Sequence, residues 1–242
     1  MPAFDTPGSI AATVVVAGAQ VRVTASDRTD TVVQVEPIDK TSPSDVKVAS
    51  KTRVDFARDQ LSVKTTASGD KNGSVVITIG LPAGSSLVAY LAHSSVQADG
   101  SLGECELHLA SGRVQLDRVG ALQANVAAGE VTIGHVAGRA SIDGAAFAMR
   151  ISEAGDTVKL SSSGGQTWIG RLARGQAELS NRSGNIQVGI SEGTAARVDA
   201  EAKRGSVRNS VPPREDPDPS GHEVTVHART RYGDIVIQPA AN

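Results

Sequence analysis

Two interleaved small-residue positions, almost all glycine, return along the second half of this chain at one period, and that period restricts the fold more than any other feature. Between Leu107 and Gly193 apolar–polar alternation runs into a small residue and glycine, resumes, and meets a second glycine. The first position is held by Gly112, Gly129, Phe147, Gly165, Gly184 and Gly205, with successive differences of 17, 18, 18, 19 and 21. The second is held by Gly120, Gly138, Gly155, Gly175 and Gly193, with differences of 18, 17, 20 and 18. Two markers keeping one period identify a repeat architecture.

The segments after the first marker read in register. Two and four residues on stand Val114 and Leu116, Val131 and Ile133, Met149 and Ile151, Thr167 and Ile169, Ile186 and Val188. Between them stand Gln115, Thr132, Arg150, Trp168 and Gln187. This period of two buries one face of a strand and solvates the other. Helices would need apolar residues at three and four apart, and the glycines would break them. About eighteen residues hold two or three short strands with tight corners, but no crossover helix. The predicted fold is therefore all-β: a right-handed, single-stranded parallel β-solenoid, or β-helix, with coils of about 18 residues and a β-rich N-terminal entry segment.

That entry segment spans residues 1–81. Ala12–Val16, Gln20–Ala25 and Thr31–Glu36 alternate well, and Asp55–Thr66 and Ser74–Ile79 read as two further strands about a polar turn at Gly69–Gly73. Coils are expected over 82–211, a charged proline-rich loop over Pro212–Gly221, and closing strands over 222–242, all in one domain. Free end coils would expose edges on which copies can stack into filaments. Pro239 cannot donate to a continued ladder, which favours capped ends and lateral association.

Composition narrows the function classes. The 242 residues carry 24 basic and 26 acidic side chains, a net charge of −2, with aromatics at 2%. Nucleic-acid binding needs a basic excess and stacking platforms, and neither is present. No apolar run is long enough to span a bilayer as a helix, so no membrane span is expected. Met1-Pro2-Ala3-Phe4-Asp5 has neither the basic start nor the apolar stretch of a secretion signal, so a cytoplasmic location is expected. One cysteine excludes an internal disulfide framework.

The whole chain resembles a bacterial β-strand-repeat family called putative adhesins, of unknown function. The resemblance lies in Phe4-Asp5-Thr6-Pro7, in the run from Ala25 to Val32, in Leu81-Pro82-Ala83-Gly84 and in Leu102-Gly103-Glu104-Cys105. It continues through Thr167-Trp168-Ile169-Gly170, Gly205-Ser206-Val207-Arg208-Asn209 and Arg231-Tyr232-Gly233-Asp234-Ile235. The family's Ser-Gly-Asp corner is weakened here to Ala145-Ala146-Phe147 and Gly164-Gly165-Gln166. The resemblance implies a solenoid and no activity; it carries over no catalytic residue.

No constellation meets the requirements of catalysis. Gly189-Ile190-Ser191-Glu192-Gly193 matches the nucleophile-elbow pattern, with Asp199 and His222 following in hydrolase order. That motif needs a strand, a sharp turn and a helix, whereas Ser191 sits where other coils turn. Cys105 and His108 have a zinc-like gap without a second pair; parity with Leu107 and Leu109 turns the thiol inward and His108 outward. The outward positions Arg113, Glu130, Ala148, Gln166, Asn185 and Ser206 lack the paired carboxylates of glycoside hydrolysis. We therefore expect no catalytic, metal or cofactor site. The candidate interaction residues are Trp168, the sole tryptophan, placed outward between Arg150 and Gln187, with Arg208 extending the column. A tryptophan on a flat sheet is an anchor for a protein partner or for a second copy. The alternative is a carbohydrate- or small-ligand-binding β-helix, which would need more outward aromatics than Trp168, Tyr90 and Tyr232.

Overall fold

The computed structural model describes residues 2–65, 73–211 and 223–240. Most of the turn expected at Gly69–Gly73, the Pro212–Gly221 loop and His222 lie outside the described residues. Among the described residues there are nineteen strands and one short helix, so the chain is all-β as expected. It divides into two compact units, Met1–Gly120 and Ala121–Asn242.

In the first unit, β1 (Ala3–Asp5), β2 (Ala11–Ala17), β3 (Ala19–Ser26) and β4 (Asp30–Pro37) precede helix α1 (Pro43–Lys51). Five more strands follow: β5 (Arg53–Ala57), β6 (Gln60–Lys64), β7 (Val75–Pro82), β8 (Ser86–Ala92) and β9 (Ser94–Leu109). β2 lies parallel between β6 and β8, with Val14 beside both Val63 and Ala89. β3 lies parallel between β7 and β9, with Val21 beside Ile77 and Val96. All six of these side chains are buried. Antiparallel strands close the far edges: β5 pairs with β6, β4 with β7, and β1 with β4.

Two local expectations for this unit are corrected. Asp55–Thr66 is not one strand but the hairpin of β5 and β6, turned at Arg58 and Asp59, whose φ angles are 53° and 57°. Both central residues in the left-handed region make the tight turn that suits a two-residue hairpin. The segment before it forms α1 where only strands were expected. Ser42 caps the helix through Oγ, which accepts the Asp45 N–H at 3.4 Å, and Pro43 stands at its first turn.

Among the described residues, the strands of the second unit all pair in parallel. The unit takes in β10 (Gly112–Val136) from Ala121 onward, then β11 (Ala140–Ala154), β12 (Val158–Gly164), β13 (Thr167–Leu172), β14 (Gly175–Ser183) and β15 (Ile186–Ile190). β16 (Ala195–Arg204), β17 (Val207–Asn209), β18 (Glu223–Tyr232) and β19 (Ile235–Pro239) complete it. Leu122 stands beside Ala140 and Ala140 beside Val158, eighteen residues on each time. The inward column Ile133, Ile151, Ile169, Val188 and Ile237 is fully buried. The corner glycines are required: Gly184 has φ +143°, and a Cβ there would come within 1.8 Å of the Gly165 carbonyl oxygen.

The strands of this unit do not stack in chain order. β18 pairs with β14 on one side and β16 on the other, and β19 lies likewise between β15 and β17. The closing strands therefore fill an inner position, with the earlier β16 and β17 outside them, and Pro239 stands beside Ile190 rather than on a terminal edge. Burial explains the choice. Val224, Val226, Ile235 and Ile237 are fully buried in the inner strands, whereas β16 offers only Ala196, Val198, Ala200 and Ala202, all half-buried. Placing the larger aliphatic side chains inside removes more apolar surface from water.

Candidate interaction face

Outward residues of the second unit form ladders across the strands. Pairing sets Thr132, Arg150, Trp168, Gln187, Val236 and Arg208 in one row. Sequence periodicity thus brings together all four of its candidate residues, but Arg208 follows Val236 and not Gln187, because β19 intervenes. The Arg150 guanidinium lies 4.7 Å from the centre of the indole, a cation–π contact worth roughly 0.5–1 kcal/mol at a solvated site. Arg150 and Arg208 are exposed; Trp168 and Gln187 are half-buried, so the indole is less open than its outward parity suggested.

Trp168 leans along the sheet towards Gly170, where an added Cβ would meet indole carbon Cη2 at 2.5 Å. A shallow trough of about 420 Å³ runs beside it, floored by Gly134, Ser152, Gly170 and Gly189 and edged by Glu153 and Arg171. Sequence reading missed this trough. Its signal was the small residue two places after Thr132, Arg150, Trp168 and Gln187, which parity alone marks only as outward.

Elsewhere on the unit, Asp199 ties the outer strand β16 to β18. Its carboxylate accepts from the Arg229 guanidinium and lies 3.4 Å from Nδ1 of His227. The hydrogen bond from Arg229 holds its carboxyl below the usual carboxylate range, with His227 adding to the effect. At the corner, the Asn185 side-chain oxygen accepts the Asp234 N–H at 2.9 Å, and Asp234 Oδ1 accepts the Ser206 N–H at 2.7 Å. The Ser206 N–H and hydroxyl bonds to this carboxylate, with the nearby Arg208 charge, lower the Asp234 pKa.

The other candidates do not assemble into chemistry. Ser191 opens a turn that leads into strand β16 rather than a helix, and Asp199 is committed to Arg229 and His227. Cys105 is buried as its parity implied, and burial pushes its thiol up to about 12, far from a reactive thiolate. His108 bonds Glu106 at 2.6 Å and stacks on Tyr90 with ring centres 4.5 Å apart. Among the described residues, no three His, Cys, Asp or Glu side chains group as metal ligands. Among these residues, too, no helix is long and apolar enough to cross a membrane.

No protein-family model matches the chain, and no curated protein does. Solved structures do. A putative adhesin from Parabacteroides distasonis ATCC 8503 matches with a TM-score of 0.58 at 11% identity, covering 97% of this chain and 95% of that one. A putative adhesin from Parabacteroides merdae ATCC 43184 matches with a TM-score of 0.52 at 12% identity, covering 98% and 94%. At such identity the likeness is one of fold. The resemblance read from the sequence is thereby met in three dimensions, and by its fold the chain stands with the bacterial proteins called putative adhesins.

Proposed function

We propose that the second unit is built on right-handed parallel β-solenoid coils of about eighteen residues, and that the chain is a non-enzymatic protein-interaction module. Its contact surface is the outward face around Trp168, and its first partner is a second copy of itself. The observation that carries this reading is the row Arg150–Trp168–Gln187: a half-buried aromatic, held by a cation, on a flat sheet. Tryptophan and arginine are the residue types that anchor protein contacts. The name adhesin, borne by proteins of like fold, agrees with contact rather than turnover.

The carbohydrate reading is weaker, because Arg150 already occupies a face of the indole on which a sugar ring would stack. Trp168 is the sole tryptophan, so its emission reports on this face directly. Light scattering and emission should be followed together over a wide range of protein concentration. We expect assembly of fixed number, a shift in Trp168 emission on dilution, and loss of both in folded Arg150→Ala. A strict monomer contradicts the reading, whether or not its emission responds to neutral oligosaccharides.

A further inference from the structure

Three cations stand side by side at one corner of the second unit. Asn181 of β14, Thr230 of β18 and Ala202 of β16 are in register, and so are Ser183, Tyr232 and Arg204. Between those two rows lie Arg182, Arg231 and Lys203, one to a strand and about 4.8 Å apart. With Arg204 they set four exposed positive charges just before the corner glycines Gly184, Gly233 and Gly205. Like charges directly opposite on neighbouring strands cost stability, so folding alone does not favour this arrangement. None of the four pairs with a carboxylate among the described residues. Two acidic residues on the same stretches of chain are engaged elsewhere: Asp234 accepts from the Ser206 N–H and hydroxyl, and Glu201 lies 3.7 Å from Arg229.

The same corner carries exposed apolar surface. The guanidinium carbons of Arg204 and Arg231 lie 5.5 and 5.4 Å from the ring centre of Tyr232, which is itself 37% exposed. Val207, two residues past Gly205, is 43% exposed. Among the described residues, these are the only large hydrophobic side chains that the second unit leaves exposed. Clustered cations are drawn to anionic headgroups, and a tyrosine suits the boundary layer where its ring is half covered and its hydroxyl stays wet. The outside of a turn is convex and can rest on a flat anionic surface, whereas an anionic polymer strand is held in a groove. We infer that this corner docks on the headgroups of an anionic phospholipid bilayer. The cations pair with headgroup phosphates, Tyr232 lies at their level, and the contact is peripheral, with no strand in the hydrocarbon.

The inference goes beyond self-association and stands whether or not the chain is a monomer. Its test is co-sedimentation of the full chain with vesicles. At low salt the parent is expected to pellet with vesicles of equimolar phosphatidylglycerol and phosphatidylcholine, not with phosphatidylcholine alone, and to be released at high salt. Arg182→Gln with Arg231→Gln should weaken binding on the order of twentyfold, since each cation near the surface contributes about fivefold. Arg139→Gln with Arg197→Gln removes the same charge from exposed positions elsewhere and should bind close to the parent. Lys203→Glu, a single reversal at an exposed site, is expected to weaken binding as much as the first pair and serves if that pair does not keep the circular dichroism of the parent. No binding to anionic vesicles at low salt, with or without binding to heparin, would overturn the inference. So would equal binding to neutral vesicles, or equal losses in the two double variants.

Discussion

Asp199 shows how one exposed side chain can govern an outer strand. Its carboxylate faces Arg229 and His227 across the strand pair, with Glu201 competing for the same guanidinium. Hydrogen bonding to Arg229 lowers its folded pKa. A carboxyl lowered by folding contributes stability that is complete above its unfolded pKa, about 4, and is lost as pH falls through the folded value. Acid should therefore loosen β16 before the aliphatic interior fails. Hydrogen exchange, corrected for intrinsic rates, should show protection of β16 amides falling below about pH 4 while β11 amides hold. In Asp199→Asn, β16 should be less protected at neutral pH and nearly flat with acidification. Equal pH dependence in the variant would place the effect elsewhere. The carboxylate side of this arrangement was readable, since Asp199 stands outward by parity. Its partners were not, because they come from a strand some thirty residues later.

At the scale of strands and corners, the glycine markers carry the strongest local constraint. Gly184 combines φ +143° with a carbonyl oxygen 1.8 Å from any added Cβ, whereas Gly8 has nothing within 4 Å. Gly184→Ala should lower stability by more than about 1 kcal/mol, and Gly8→Ala should stay within about 0.5 kcal/mol of the parent in denaturant unfolding. Similar losses at both sites would mean that the corner geometry is not what the glycine serves. Strand register was legible because Val131, Met149, Thr167 and Ile186 each recur at one place after the marker, and each is buried. Helix α1 and the β5–β6 hairpin were not. The helix is short, with only Asp45 and Val48 buried, so it carries little apolar periodicity. The hairpin turns on Arg58 and Asp59, without the glycine that usually marks such a turn.

For the chain as a whole, the sequence repeat speaks to strand period and not to strand order. Gly205 and Gly233 both bear positive φ at equivalent corners, and the strands before each alternate in the same way. Either segment suits either slot locally; the greater aliphatic bulk of Val224, Val226, Ile235 and Ile237 assigns the later one to the interior. The candidate face followed from period and parity alone, since Arg150, Trp168 and Gln187 belong to strands that neighbour one another in the sheet. Arg208 was displaced by one place because order, not period, decides its neighbour. The same out-of-order stacking leaves β16 outermost, tied to β18 through Arg229 and Asp199. Three paired-cysteine variants in a Cys105→Ser background test that stacking most directly. Gln176→Cys with Thr225→Cys, and Arg197→Cys with Thr225→Cys, each join strands in register and should form intramolecular disulfides. Gln176→Cys with Arg197→Cys lies two strand spacings apart, about 9–10 Å, and should remain reduced. Ready closure of that third pair, with failure of the Gln176–Thr225 pair, would mean that the strands stack in chain order and would contradict the account.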